Sequence, residues 1–402
     1  MDDKASSEAT RGAGLTIALC FAVAILEGFD IQAIGVSAHK IAHEFGLRPG
    51  QIGWVFFASN LALVIGASFG GLSADRFGRK PVFVCAVLTF GVATYATTWV
   101  FDFWSLSAAR ALAGVGFGAA LPNLMAVAAD ISLPERRTST ATAMFCGTPL
   151  GGGLVAAYTQ LLPNNYGWRI LFEVGGALPI VLAPLLLLFL RETNTSRDRD
   201  IRRKPRIFTA LFGAGRAVPT LLLWIAFFPT LGVLYLVLYW LPTLVAAKGL
   251  GAEAGPLASV AFNFASIVGA LFLGRVVDRY GPRRPLTIAF ALLIAVIFGL
   301  AAVNGLVPVL LLSGGLGLLL LGANYALYGV AASYYPKPVR GTGSGAAIAV
   351  GRVGAIIGPL LPGLLLSAGS SADDIIKLMA PAAAMAGVAV FALSFFKPMP
   401  ED

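Results

Sequence analysis

Glu27 and Asp30 stand in "AILEGFDIQAIG" (24–35), a stretch that is otherwise apolar. Three residues apart on a helix, they share one face. An ionised carboxylate in hydrocarbon is costly, so acids placed there face a protein interior and are functional by default. Burial disfavours the charged form of a carboxyl, and a like-charged neighbour disfavours it further. A carboxyl in that setting takes up and releases a proton near neutral pH, which is the chemistry of proton coupling. Two cations answer these acids: Arg110 and Arg352 also fall inside apolar runs. A guanidinium stays charged and presents a planar fork that matches a carboxylate. Arg110 can hold Glu27 or Asp30 in an internal salt bridge, or it can hold the carboxylate of a ligand. The two uses are compatible, because protonating the acid frees the arginine.

The elements that position these groups follow from composition. Of 402 residues, 57% are hydrophobic and 12% charged, with a mean hydropathy of +0.82. Soluble domains carry about 25% charged residues, so the chain reads as a polytopic membrane protein. Runs long enough to cross a bilayer, about 20 residues each, fall at 15–37, 52–72, 81–99, 104–127, 140–161 and 168–190. Six more follow at 217–246, 256–275, 286–303, 306–332, 343–366 and 375–396. The first run is too long for a signal peptide's apolar core of about 7–15 residues and carries both acids, so it is expected to remain as a transmembrane helix. Of the 29 Lys and Arg residues, five (Lys40, Arg48, Arg169, Lys248 and Lys377) flank the spans on one side, while 22 lie on the side of the N-terminus. The positive-inside rule then puts both termini in the cytoplasm. Trp54, Trp99, Trp104, Trp168 and Trp240 fall near the opposite ends, where interfacial indoles belong.

The chain divides into residues 1–190, a basic stretch 191–216 and residues 217–402. The formal charge of +9 is a matter of topology and of anionic lipid, and no nucleic-acid partner is expected. The halves repeat. "GLSADRFGRKP" (71–81) matches "GRVVDRYGPRRP" (274–285), with Asp75 answering Asp278 at an offset of 203. The same offset carries Arg137 to Arg340. Internal repeats of this kind build many transporters.

These segments carry a resemblance. "GLSADRFGRK" (71–80), "RALAGVGFGAALPN" (110–123) and, in part, "GTPLGGG" (147–153) are similar to signatures of the major facilitator superfamily. "EGFD" (27–30), followed by Gln32, and "GRVGAIIGP" (351–359) resemble the aromatic acid:proton symporter family within it. Two departures stand out: Glu27 stands where many members have Asp, and "ERRTST" (135–140) has Thr138 where the family usually has Gly. The resemblance implies twelve helices in two six-helix repeats, the major facilitator fold. It implies import by alternating access of a small aromatic carboxylate, of the hydroxyphenylpropionate or hydroxybenzoate type, together with a proton. It implies a bacterial inner membrane location. Glu27, Asp30 and Arg110 would couple the proton, and Arg110 and Arg352, turned to a central cavity, would bind the carboxylate. It makes Asp75 the centre of a latch on one of two states, with Gly71, Arg76, Gly78, Arg79, Arg137, Asp278, Arg279 and Arg340 around it. Gly71 and Gly78 are expected to permit close approach and a sharp turn, while Pro282 interrupts the second copy.

An aromatic substrate also needs apolar walls and a few placed polar groups. Asn123, Asn324, Tyr325, Tyr328 and Gln32 are the candidates; Asn324 and Tyr328 share a face, as do Tyr325 and Tyr328. Asn60 and Asn263 are further candidates. Glu173, four residues after Arg169, reads as its i,i+4 ion-pair partner and is left out of the site. His39 and His43 read as the solvated face of a short loop helix. Cys20, Cys85 and Cys146 read as small core residues with no disulfide. No metal-ligand spacing and no nucleophile–base constellation is visible, so neither an enzyme nor a bound metal is expected. No cofactor beyond the coupled proton is expected, and the chain is expected to act as a monomer. The alternatives are a proton-coupled exporter of drugs or other metabolites on the same fold, which the partial glycine–proline motif favours, and a transporter-like sensor.

Overall fold

The computed structural model describes residues 2–131, 137–161, 167–190, 207–213, 215–251, 253–336 and 339–396, with side chains from Gly14 onward except 128–143. Among them all regular structure is helical. The helices are α1 (Asp2–Phe45), α2 (Pro49–Phe77), α3 (Arg79–Ala96), α4 (Phe103–Ile131), α5 (Arg137–Leu161) and α6 (Arg169–Phe189). There follow α7 (Ile207–Phe212), α8 (Ala217–Ala246), α9 (Ala254–Tyr280), α10 (Arg283–Ala302) and α11 (Leu306–Ser333). The last are α12 (Arg340–Ile357), α13 (Leu360–Ser367) and α14 (Ala372–Leu393). Counting α12 and α13 together, 11 described segments are long and apolar enough to cross a membrane. The twelfth long helix is α5, whose 25 residues reach about 37 Å; its Thr and Gly content keeps it less apolar. Leu188, Leu311 and Val388 lie more than two-thirds exposed, a surface that only a lipid solvent tolerates.

The chain forms two compact units, Met1–Leu47 with Trp54–Arg199, and Arg48–Gly53 with Asp200–Asp402. In the first, α1 packs on α5 and α6, and α3 on α4 and α6. Its core holds Val23, Phe83, Val87, Leu124 and the stacked rings of Phe90 and Phe117, 4.5 Å apart. In the second, α8 packs on α12 and α14, α9 on α11, and α10 on α14.

The repeat is built into these crossings. A Cβ added to Gly151 of α5 would lie 1.8 Å from the Ile25 carbonyl oxygen of α1, and one on Gly354 of α12 would lie 2.0 Å from that of Phe228 on α8. Likewise Gly66 meets Val115 at 2.2 Å, and Gly269 meets Leu318 at 2.0 Å. Every residue of the first unit here maps onto its counterpart at the offset of 203 found in the loop motifs. Helices that touch backbone to backbone need a residue without a side chain at the contact. The loop glycines repeat as well: Gly78 and Gly281 turn the chain at φ 94° and 74°, a region that glycine enters without strain.

Several expectations need correcting. α1 runs on to Phe45, so His39 and His43 are exposed on the extension of the first helix and not on a separate one. The stretch read as linker contains α7, while 191–206 lies outside the described residues. The eleventh span breaks between Ile357 and Leu360, where Pro359 has no N–H to continue the ladder. Cys85 is exposed, Cys146 is half-buried and only Cys20 is fully buried. A Cβ on Gly71 would meet no described atom within 4 Å, so the close approach beside the loop belongs to Gly66 and Gly70.

Arg169 does not pair with Glu173, which is exposed. It reaches Glu44 at the end of α1, at 2.7 Å. Its Nε donates to the Thr98 carbonyl at 2.9 Å, while Trp168 Nε1 donates to Glu44 at 2.6 Å. The second unit carries the corresponding clasp with its charges exchanged. Lys248, at the end of α8, meets Asp373 of α14 at 2.6 Å and donates to the carbonyls of Ala301 and Val303, each at 3.1 Å. An offset of 204 carries Glu44 to Lys248 and Arg169 to Asp373. Between the spans, Asp102 accepts from the Ser105 hydroxyl at 2.6 Å and backbone N–H at 2.7 Å, and these bonds hold its carboxyl below the usual range.

Candidate functional site

In the first unit, α1 turns Asp30 into the interior, and α4 delivers Arg110 to it. The two form a buried bidentate pair: Nη1 donates to Oδ1 at 3.0 Å and Nη2 to Oδ2. Asp30 is 0% and Arg110 2% exposed. Thr94 of α3 donates to Oδ1 at 2.7 Å, and Phe172 of α6 lies under the guanidinium, 5.5 Å from ring centroid to Cζ. Arg110 Nε meets no acceptor among the described residues. Four helices thus fix one ion pair. In so dry a place neither charge is tolerated without the other, because an uncompensated buried charge costs about 3–5 kcal/mol. Glu27 and Gln32 are buried on the same helix as Asp30, at 4% and 3% exposure. Asn123 directs its amide to the Ala119 carbonyl of its own helix at 2.8 Å. Asn60 does the same towards Phe56 at 2.8 Å.

In the second unit, Arg352 of α12 donates through Nη1 to the Tyr235 hydroxyl at 2.7 Å, and its Cζ lies 5.9 Å from that ring's centroid. On α11, Asn324 and Tyr328 stand one helical turn apart, and the Tyr328 phenol lies near Arg352 and Tyr235. Phe227 packs edge-on against Tyr328, with centroids 5.4 Å apart. Asn324 is buried, and its Oδ1 meets no donor among the described residues. Tyr325 is half-buried. Asn263 bonds the Ser259 carbonyl of its own helix at 2.7 Å. The result is one guanidinium among aromatic rings, a setting that can hold a carboxylate and the ring attached to it.

Of the sequence candidates, the structure brings Asp30 to Arg110, and Arg352 to the neighbourhood of Asn324 and Tyr328. Thr94, Phe172, Tyr235 and Phe227 were missed. A hydroxyl or ring in an apolar run has no spacing that ties it to a distant charge. Buried Thr94 in a lipid-crossing helix was the one available signal. The residues expected to form a latch sit at helix ends. Asp75, Arg76, Asp278 and Arg279 are exposed. Arg76 lies over Phe77 at 5.2 Å and Arg279 over Tyr280 at 5.4 Å, so this contact too repeats. Arg340 Nε reaches the Tyr335 carbonyl at 3.4 Å. Arg137 begins α5, with its side chain outside the described residues.

Comparison with known proteins agrees with this architecture. The sequence matches the Major Facilitator Superfamily over residues 20–359 and 257–402. It is 38% identical over 393 residues to the 3-(3-hydroxy-phenyl)propionate transporter of Escherichia coli K12, covering 98% of this chain and 97% of that one. It is 31% identical over 411 residues to the 4-hydroxybenzoate transporter PcaK of Pseudomonas putida, covering 93% and 91%. Its fold superposes with a TM-score of 0.79 on the crystal structure of a bacterial homologue of the human lysosomal transporter Spinster, at 16% identity over 96% of this chain and 97% of that one. Fold, repeat and sequence agree that this multi-pass membrane protein, a transporter and not an enzyme, belongs to the Major Facilitator Superfamily.

Proposed function

We propose that the protein is an aromatic acid transporter that imports its substrate with a proton across the bacterial inner membrane, both termini being cytoplasmic. The observation that carries the substrate class is Arg352 bonded to the Tyr235 hydroxyl, with the Tyr328 ring near it, inside the second unit's helices. An arginine supplies the counter-charge and the rings supply the walls that an aryl carboxylate needs. The relatives that transport hydroxyphenylpropionate and hydroxybenzoate support the same class. Asn324, with an unused carbonyl oxygen, is suited to accept a ring hydroxyl.

The buried pair supplies the coupling. Asp30 takes the proton, its hold on Arg110 loosens, and the freed fork accepts the incoming carboxylate. Neither the proton nor the anion is well accommodated alone, so the two travel together. Asp75 and its neighbours act at the helix ends as a contact that biases two states of similar energy.

Uptake of radiolabelled 3-(3-hydroxyphenyl)propionate into proteoliposomes tests the reading. Uptake stimulated by an inward proton gradient, and suppressed by unlabelled aryl carboxylates, is the expected result. No uptake, together with proton-driven extrusion of other compounds, would instead make the protein an exporter.

Arg352→Lys carries a second expectation. Lysine keeps the charge and loses the fork and the stacking, so the KM for substrate rises by about tenfold or more, the value of one charge-assisted hydrogen bond. An unchanged KM would remove Arg352 from the binding site.

A further inference from the structure

A groove of about 460 Å³ runs along the first unit between α2 and α3, floored by α4. Phe69 and Phe77 wall it on one side and Pro81 and Cys85 on the other, with Val115 and Ala119 beneath. Its lining is almost wholly apolar, and Phe69, Phe77 and Cys85 are exposed. From Gly66 to Phe77 it follows α2 for about 16 Å, half of a hydrocarbon core of about 30 Å. It therefore reaches from one membrane surface to the midplane, which is the span of a single acyl chain.

Charge collects at the surface end alone. Phe77 and Pro81 bracket the turn, and beside them stand Arg76, Arg79 and Lys80, against one acid, Asp75. Arg76 already lies over the ring of Phe77. α3 starts at Arg79 behind a glycine N-cap that has no side-chain acceptor to offer, and no acid occupies its first turn. A helix start of this kind directs N–H groups and a positive dipole at an anion.

We propose that the groove is a site for an anionic phospholipid, one acyl chain lying against α2, α3 and α4 and the phosphate resting on Arg76, Arg79, Lys80 and the start of α3. The chain-length recess and the basic mouth together match one acyl chain and one phosphate. A lipid held there spans the Gly78 turn and ties α2 to α3.

Native mass spectrometry of the full-length, delipidated protein tests the site, using phosphatidylglycerol, phosphatidylcholine of the same chains, and glycerol 3-phosphate. One phosphatidylglycerol is expected to bind at least tenfold more tightly than phosphatidylcholine, with no binding of glycerol 3-phosphate. Lys80→Gln should weaken it about fivefold, the worth of one basic residue near a membrane surface, and Cys85→Trp, which fills the groove, should abolish the preference. Should that variant fail to fold, alkylation of the native protein by N-ethylmaleimide gives the answer: phosphatidylglycerol slows reaction at Cys85 and leaves Cys146 unchanged. Equal binding of the two lipids, binding of glycerol 3-phosphate alone, or a Cys85 rate indifferent to phosphatidylglycerol would each overturn the proposal.

Discussion

Replacing Asp30 by Asn lowers gradient-driven uptake by about a hundredfold or more. Two effects act together. In the proposed coupling the amide cannot take the place of a proton-accepting carboxylate, and Arg110 loses its charged partner in a site where both groups are almost fully buried. The second effect also threatens the fold, so the single variant by itself does not distinguish lost coupling from lost structure. The double variant Asp30→Asn, Arg110→Gln removes both charges and leaves a neutral, hydrogen-bonded pair with Thr94 nearby. Exchanging both members of a buried pair is far milder than removing one. The double variant should therefore recover the thermal stability of the parent while remaining unable to accumulate substrate on a proton gradient. Recovery of uptake along with stability would remove Asp30 from proton coupling and leave the pair a purely structural one.

The second large effect concerns the helix crossings. Gly151→Ala places a methyl group 1.8 Å from the Ile25 carbonyl oxygen and 2.7 Å from the Phe29 nitrogen. Backbone atoms cannot swing aside as a side-chain tip does, so α1 and α5 must part along their whole contact. Overpacking of this kind costs about 1–3 kcal/mol, and more where the neighbour is rigid. Gly354→Ala should behave alike in the second unit, since its Cβ meets the Phe228 carbonyl oxygen at 2.0 Å. Gly274→Ala is the control of opposite sign: nothing lies within 4 Å, and alanine in a helix interior gains about 0.5–1 kcal/mol over glycine. Thermal unfolding of the purified variants in detergent reads all three. A Gly151→Ala protein as stable as the parent would mean that the α1–α5 crossing does not stabilise the first unit.

Much of this architecture was legible in the sequence, because lipid enforces simple rules. A helix must be apolar for its whole crossing, and a charge inside it stands out, which is how Glu27, Asp30, Arg110 and Arg352 came forward. The repeat was visible in the loop motifs. Its deeper expression, the glycine contacts, was hidden because a glycine looks the same whether its missing side chain faces another helix or open space, as Gly66 and Gly71 do. Which acid Arg110 takes depends on how α1 is rotated, and composition says nothing of rotation. The i,i+4 rule misassigned Arg169 because it weighs neighbours on one helix only, whereas Glu44 comes from α1 and arrives with Trp168. The break before Leu360 did have a signal in Pro359, overridden by the unbroken hydropathy around it.

The exchanged clasps have a consequence for biogenesis. The two halves are alike enough in length, hydropathy and crossing glycines that a helix from one could dock in the other's place as the chain enters the bilayer. If α1 were to settle against α14, Glu44 would face Asp373. If α8 were to settle against α6, Lys248 would face Arg169. Both errors bring like charges together where the native partners attract. Reversing the polarity of one clasp thus lets a duplicated chain tell its own halves apart during assembly, a proofreading that two identical clasps would not provide.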